Sequence, residues 1–255
     1  MIEVNAIYVI VAREFKKFMR EKSRLISTLI RPLIWLFFVG VGMSRLVSPQ
    51  PGIMTVSYLQ FIFPGILGMT ILFSSIFSSI SIIWDKEFGF MKEILVAPVS
   101  RLSIVIGKAL SGTVVSMIQA AIILILFPIL GLKLGIMQII GTLTVCLILS
   151  FCISALGIVI ATFYESFESF SVIMNFIVMP MFFLSGAMYP VKVLPLILKM
   201  ATKINPLTYG IDGLKHTILG RPEVYDFPLT IDIIILLGTS ILFIITAGLL
   251  FERKK

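Results

Sequence analysis

The sequence predicts an all-α, polytopic membrane protein with six spanning helices. Three observations carry this. Hydrophobic residues make up 58% of the 255 and charged residues only 13%, about half of the roughly 25% charged share of a soluble chain. The mean hydropathy is +1.10. Apolar runs recur that are long enough, at about 20 residues, to cross a hydrocarbon core of ~30 Å as helices.

Taken in order, the chain begins with a charged prelude. Val4, Ile7, Tyr8, Val11, Phe15, Phe18 and Met19 recur every three or four positions, with Arg13, Glu14, Lys16, Lys17, Arg20 and Glu21 between them. That spacing predicts an amphipathic helix within 1–25, basic on its polar face and suited to the headgroup layer. Arg13, Phe15, Lys16, Lys17 and Arg20 are its interfacial residues; a helix packed on a soluble partner is the alternative. Glu3 precedes the first basic residue, which is not the charge order of a signal peptide. The six-helix region covers 26–251. Its first span, 26–46, carries Arg31-Pro32 near its start, where proline is tolerated and arginine can snorkel to the interface. The second span covers 59–83, the third 104–130 and the fourth 136–163. The fifth begins near 170 and is interrupted by Pro180, Gly186 and Pro190; the sixth covers 229–251.

Between the last two lies a long, semi-apolar loop, 186–228. Its stretch VKVLPLILKMATKINPL has apolar residues spaced for a short helix bracketed by prolines. Such a segment is expected to be re-entrant or to cap the helices, because its backbone needs protein packing at membrane depth. Orientation follows from the basic residues. With the N-terminus inside, 14 Lys and Arg fall on the inner side and seven on the outer, which places both termini in the cytoplasm of a plasma-membrane protein.

Several chemistries are missing. Lys108 and Asp232 lie about one turn inside their helix ends, where headgroups are within reach, and no acid or histidine falls at mid-depth. That argues against an ion-coupled carrier, which uses intramembrane ionisable relays. The pair Gly107-Lys108 has Leu102 five positions earlier and Ala109 after it, so the Walker A loop fails twice. No catalytic residue and no metal site are expected, and nothing supports a nucleic-acid partner. Cys146 and Cys152 share one apolar run and are read as packing residues. Gly112, Ser116 and Ala120, like Ser75 and Ser79, form small-residue stripes that let helices approach. Packing explains them first, and a polar path through Ser75, Ser79, Asn175, Phe182 and Phe183 is the sharper alternative.

One charged knot, WDKEFGFMKEILVAPVSR, stands out between two apolar spans. From 86 to 96, Phe88, Met91, Ile94 and Leu95 share a helical face, with Lys86, Glu87, Lys92 and Glu93 elsewhere, until Pro98 stops the helix. This pattern fits a helix-in-groove ligand. The stretch EFGFMKEILVAPVSR with a following IGK resembles the cytoplasmic loop of type-2 ABC transporter permeases: Glu87, Gly89, Glu93, Pro98, Ser100, Arg101, Gly107 and Lys108 match, and Phe90 replaces the usual threonine. A second resemblance lies in FLSGAMYPVKVLP and INPLTYGIDGLK. Length and short loops are most similar to the drug-resistance and nodulation-factor export branch.

The resemblance implies one transmembrane permease domain over 1–255, a subunit of an ATP-driven exporter of drugs, lipids or lipid-linked glycans. It implies a coupling loop at 84–101, with Lys86, Glu87, Phe88, Gly89, Met91, Glu93, Ile94, Leu95 and Pro98 seated on the ATPase. It also implies an outer gate involving Ser185, Gly186, Tyr189, Pro190, Asn205, Pro206 and Tyr209. The partners implied are two ATP-binding cassette subunits, a second permease copy, more readily an identical one, and membrane lipids. No cofactor is expected on this chain, ATP and Mg²⁺ belonging to the partner. The competing classes are an ATP-independent pore or scaffold and a secondary transporter.

Overall fold

Apolar periodicity and proline placement account for the element order in the computed structural model, which describes residues 3–46, 56–91 and 99–253. Among the described residues every regular element is helical. The elements are α1 (Val4–Arg20), α2 (Lys22–Ile34), a π-helical stretch Trp35–Val41, α3 (Gly42–Ser44), α4 (Tyr58–Ser78) and α5 (Ile80–Glu87). They continue with α6 (Arg101–Leu124), α7 (Ile136–Phe163), α8 (Phe167–Phe183), α9 (Leu196–Ile204), α10 (Pro206–Leu219) and α11 (Leu229–Arg253).

Among the described residues, four helical stretches are long and apolar enough to cross a membrane: Tyr58–Glu87, Arg101–Leu124, Ile136–Phe163 and Leu229–Glu252. Leu29–Ser44 and Phe167–Phe183 are apolar but shorter. The second span therefore runs further than the apolar run alone marks, through a bend at Ser79 between α4 and α5. The third stops at Leu124, and Pro128 falls in the 3₁₀ turn Phe127–Leu130 that follows. In the first, the π stretch begins three residues after Pro32; a proline lacks the N–H that an α-helix needs and crowds the preceding turn.

The core is built around α4, buried over most of its length between α6, α7 and α10. Small residues set those contacts. A Cβ on Gly112 of α6 would lie 2.6 Å from Ser154 Oγ of α7, and one on Gly157 of α7 would lie 2.5 Å from Ser79 Oγ. Ser116 and Ala120 are buried on the same face, so the stripe brings α6 close to its neighbours as small residues do in bilayers. Cys146 and Cys152 are buried within α7, as packing residues. Isoleucine, leucine and phenylalanine remain exposed on α8, α9 and α11, as lipid-facing surface requires.

One residue of the N-terminal helix departs from its sequence reading. Phe18 is buried, yet Val4, Tyr8, Phe15 and Met19 from the same apolar stripe are exposed, while Glu14 from the polar face is buried against α6. Tertiary pairing takes Glu14 alone off the solvated face, because α6 offers it a buried cation.

Candidate functional site

At the end of the bundle that carries the 84–101 loop, four charged side chains converge. Lys108 Nζ donates to Glu14 Oε1 at 2.7 Å, Asp85 Oδ2 at 2.6 Å and Ser81 Oγ at 3.1 Å. An ammonium has three donors, and all three are used. Arg13 reaches the other Asp85 oxygen at 3.4 Å. Two cations and two anions thus balance, joining α1, α5 and α6. Lys108 does not extend to headgroups as its position near a helix end implied: its side chain is 5% exposed. Buried charge is tolerated only when paired and hydrogen-bonded, and here it is both.

The neighbouring residue of α5 turns the other way. Lys86 Nζ donates to the carbonyls of Ala161, Thr162 and Tyr164 at 2.7, 3.1 and 2.9 Å. These lie at the last turn of α7, where carbonyls lack intrahelical partners and the helix dipole favours a cation. Asp85 and Lys86 therefore tie one turn of α5 to three other helices. Lys17 of α1 lies 4.2 Å from the Trp84 ring centre, whereas Phe15, Lys16 and Arg20 are exposed. A cavity of about 430 Å³ opens beside the junction, lined by Lys86, Glu87, Met91, Thr162, Glu165 and Phe251 among others.

Immediately after, the helix breaks. Glu87 ends α5 and Gly89 takes φ +79, a left-handed conformation that side-chain-bearing residues rarely adopt. A continuous helix over 86–96 with Phe88 and Met91 on one face is thereby corrected: Phe88 is 69% exposed while Met91 is buried. Phe90 is exposed as well. Glu93, Ile94, Leu95 and Pro98 lie outside the described residues. Beyond them, Ser100 accepts a hydrogen bond from the Ser103 N–H and caps α6.

At the opposite end, residues named from the second motif come together. The Asn205 side chain caps α10 by accepting from the Leu207 N–H at 3.1 Å, with Pro206 in the first turn, while its Nδ2 donates to the Met181 carbonyl at 2.7 Å. Thr208 donates to Leu184 O, Ser185 to Phe182 O and Tyr189 to Phe183 O. The orphan carbonyls that end α8 are thus met largely by the cap around α10 and by the turn itself. Tyr209 donates to Lys203 O at 2.7 Å, and Pro190 precedes the 3₁₀ turn Val191–Val193. Gly186 has φ +72, and its carbonyl accepts from Lys215 Nζ at 2.8 Å. Gly65 of α4 is required by a close approach: a Cβ there would lie 2.5 Å from the Ala187 carbonyl oxygen.

Of the remaining sequence candidates, Ser75, Ser79 and Phe182 are buried in helix contacts; Ser75 donates to Ser150 O at 3.3 Å. Phe182 packs edge-on against Trp35 at 5.9 Å, with Phe183 nearby. Asn175 is exposed and donates within its own helix, to Ser171 O. Sequence reasoning missed the charged face of α10. Asp212, Lys215 and His216 share that face, and Asp212 is buried and accepts from the Asp226 and Phe227 N–H groups. Burial pushes its carboxyl above the usual range against those hydrogen bonds. Burial likewise pushes the Lys215 ammonium down, opposed by Asp212. The spacing in GIDGLKH was the available signal: charges three and four apart inside an apolar run. Asp232, placed by sequence within reach of headgroups, is instead 1% exposed.

Long apolar helices, a charged junction braced across them at one end and a hydrogen-bonded cap at the other are the architecture of a helical polytopic membrane protein. The chain belongs to the ABC-2 type transporter family, whose model matches residues 5–219. Among similar proteins, ycf38 of Cyanophora paradoxa, named as a transport permease, is 31% identical over 214 residues, covering 83% of this chain and 73% of its own length. The inner membrane transport permease YadH of Escherichia coli K12 is 26% identical over 253 residues, 96% of this chain and 93% of that one. Nodulation protein J of Rhizobium leguminosarum bv. trifolii is 26% identical over 212 residues, 79% and 76% respectively. The chain is thus an ABC-2 permease subunit, of a family that lacks a catalytic ATPase domain and works with an ATP-binding partner.

Proposed function

We propose that this permease moves an amphiphilic substrate, a drug, lipid or lipid-linked glycan, outward through the plasma membrane when two ATP-binding subunits act on a pair of identical permease chains. In this reading both termini and the 84–101 loop are cytoplasmic, and the two shorter apolar helices complete six spans. Phe167–Phe183, at ~1.5 Å per residue, reaches about 26 Å, short of a ~30 Å core; the cap built by α9 and α10 fills the remaining depth on the outer side.

The observation that carries the proposal is the exposed Phe88 at the root of a loop braced to three helices. A large aromatic held outward beside Glu87 and Lys86 is the kind of anchor that fills a partner's pocket. Because Asp85 and Lys86 fix the preceding turn to α1, α6 and α7, a push on Phe88 is delivered to packed helices. The test is Phe88→Asp in the assembled complex. Substrate-stimulated ATP hydrolysis is expected to fall at least about tenfold, the effect of losing a ~1.4 kcal/mol anchor. Wild-type coupling at normal expression and assembly would remove the assignment.

A further inference from the structure

Asp212, His216 and Asp232 form a cluster that the transport reading does not use. Asp212 and His216 stand one turn apart on α10, and Asp232 lies in the first turn of α11. One ligand-capable atom from each lies within 4.8 Å of the other two. Asp232 is 1% exposed, and among the described residues neither of its carboxylate oxygens has a hydrogen-bond partner. A buried carboxylate without a donor costs several kcal/mol unless a proton or a cation meets it.

The other two members are already oriented. The Nε2 of His216 lies 2.7 Å from the Phe227 carbonyl. A carbonyl only accepts, so Nε2 carries the hydrogen and the lone pair is left on Nδ1. The ring also stacks on Tyr225. Asp212 receives the N–H groups of Asp226 and Phe227, which fix its plane and leave lone-pair capacity on a carboxylate with about four acceptor sites. Such outer hydrogen bonds, N–H to carbonyl on the histidine and amide to carboxylate on the acid, are the supports that metal ligands characteristically have. Of the cations in this region, Lys215 is engaged with the Gly186 carbonyl and the Phe61 ring, and Lys192 with the Glu223 carbonyl. A cleft of about 550 Å³ lined by Lys192, His216, Tyr225, Asp226, Phe227 and Leu229, among others, reaches the His216 side of the cluster.

We infer that Asp212, His216 and Asp232 bind a divalent transition metal of the zinc class, clipping the re-entrant helix α10 to the start of α11. A proton would meet Asp232 alone, whereas one cation would also draw on His216 and on the lone-pair capacity left on Asp212. An imidazole with two carboxylates suits Zn²⁺, or Co²⁺ as its spectroscopic stand-in, better than the all-oxygen sites of Mg²⁺ and Ca²⁺. With bonds of ~2.0–2.2 Å to nitrogen and oxygen, the side chains need only close inward from their present spacing. The inference rests on this geometry and not on the transport reading.

The experiment uses the untagged full-length chain in detergent, where His216 is the only histidine. After chelator treatment it is titrated with Co²⁺ while the visible d–d absorption is followed, and then with Zn²⁺ in competition. One equivalent per chain is expected, with a rise in thermal unfolding temperature. Asp232→Asn and His216→Gln should each weaken Co²⁺ binding at least about tenfold, the low end of what even supporting residues of metal sites contribute. Absence of saturable Co²⁺ absorption in the wild-type chain overturns the inference, as does equal binding by the variants. Should a variant fail to fold, the wild-type stoichiometry and the Zn²⁺-dependent thermal shift decide alone: one equivalent with a shift supports the site, and either one missing refutes it.

Discussion

Removing the ammonium at the centre of the charged junction tests whether that junction holds the N-terminal helix to the bundle. In Lys108→Met the stem keeps its apolar volume, but Glu14 and Asp85 lose their shared partner. Their side chains are 9% and 6% exposed, so water reaches neither well. Arg13 relieves only Asp85, at 3.4 Å and from a side chain 54% exposed, a contribution of the surface-pair class worth under ~1 kcal/mol. Breaking a buried pair by deleting one partner costs about 3–5 kcal/mol. At roughly 2–4 °C per kcal/mol for a chain of this size, the unfolding temperature in detergent should fall by about 6–20 °C. Limited proteolysis should cut the chain between α1 and α2 first. The triple variant Glu14→Gln, Asp85→Asn, Lys108→Met should recover most of the loss, because neutral groups of like shape leave no orphaned charge. A Lys108→Met unfolding temperature within about 2 °C of wild type, a shift expected of under ~1 kcal/mol, would refute the reasoning.

Two further substitutions probe the two ends separately. Lys86→Met strips a donor from three carbonyls at the end of α7; it should cost about 1–3 kcal/mol and speed hydrogen exchange at Thr162 to Glu165 while leaving the far end unchanged. Gly65→Ala sets a methyl 2.5 Å from the Ala187 carbonyl, backbone against a packed helix. Overpacking of this kind costs about 1–3 kcal/mol, and the unfolding temperature should drop, whereas Gly42→Ala, with open space around it, should be neutral or slightly stabilising.

Much of the site was legible because its parts are local. The proline-bracketed helix 196–204 depends on residues a few positions apart, and it forms; Asn205 and Ser100, named from the two motifs, prove to cap α10 and α6, a role their spacing was not read for. The helical continuity of 86–96 was misjudged because Gly89 can adopt either hand, and apolar spacing says nothing about which. Glu14 was misplaced for a different reason. Amphipathic spacing treats every acid as solvent-seeking, but Lys108 is 94 positions away in sequence, a distance no periodicity reports.

What the sequence determined by itself is the solvent and the class: too few charges for water, helices of membrane length, and a motif pattern shared with ABC-2 permeases, all set by composition and short-range spacing. Only the tertiary structure decided which charges are used. It buried Lys108 with Glu14 and Asp85, turned Lys86 onto the end of α7, and brought Asp232 to within reach of His216 and Asp212. The physical reason is that an ionisable group in a low-dielectric bundle is defined by the partner that faces it. The partner comes from another helix, and only packing chooses it.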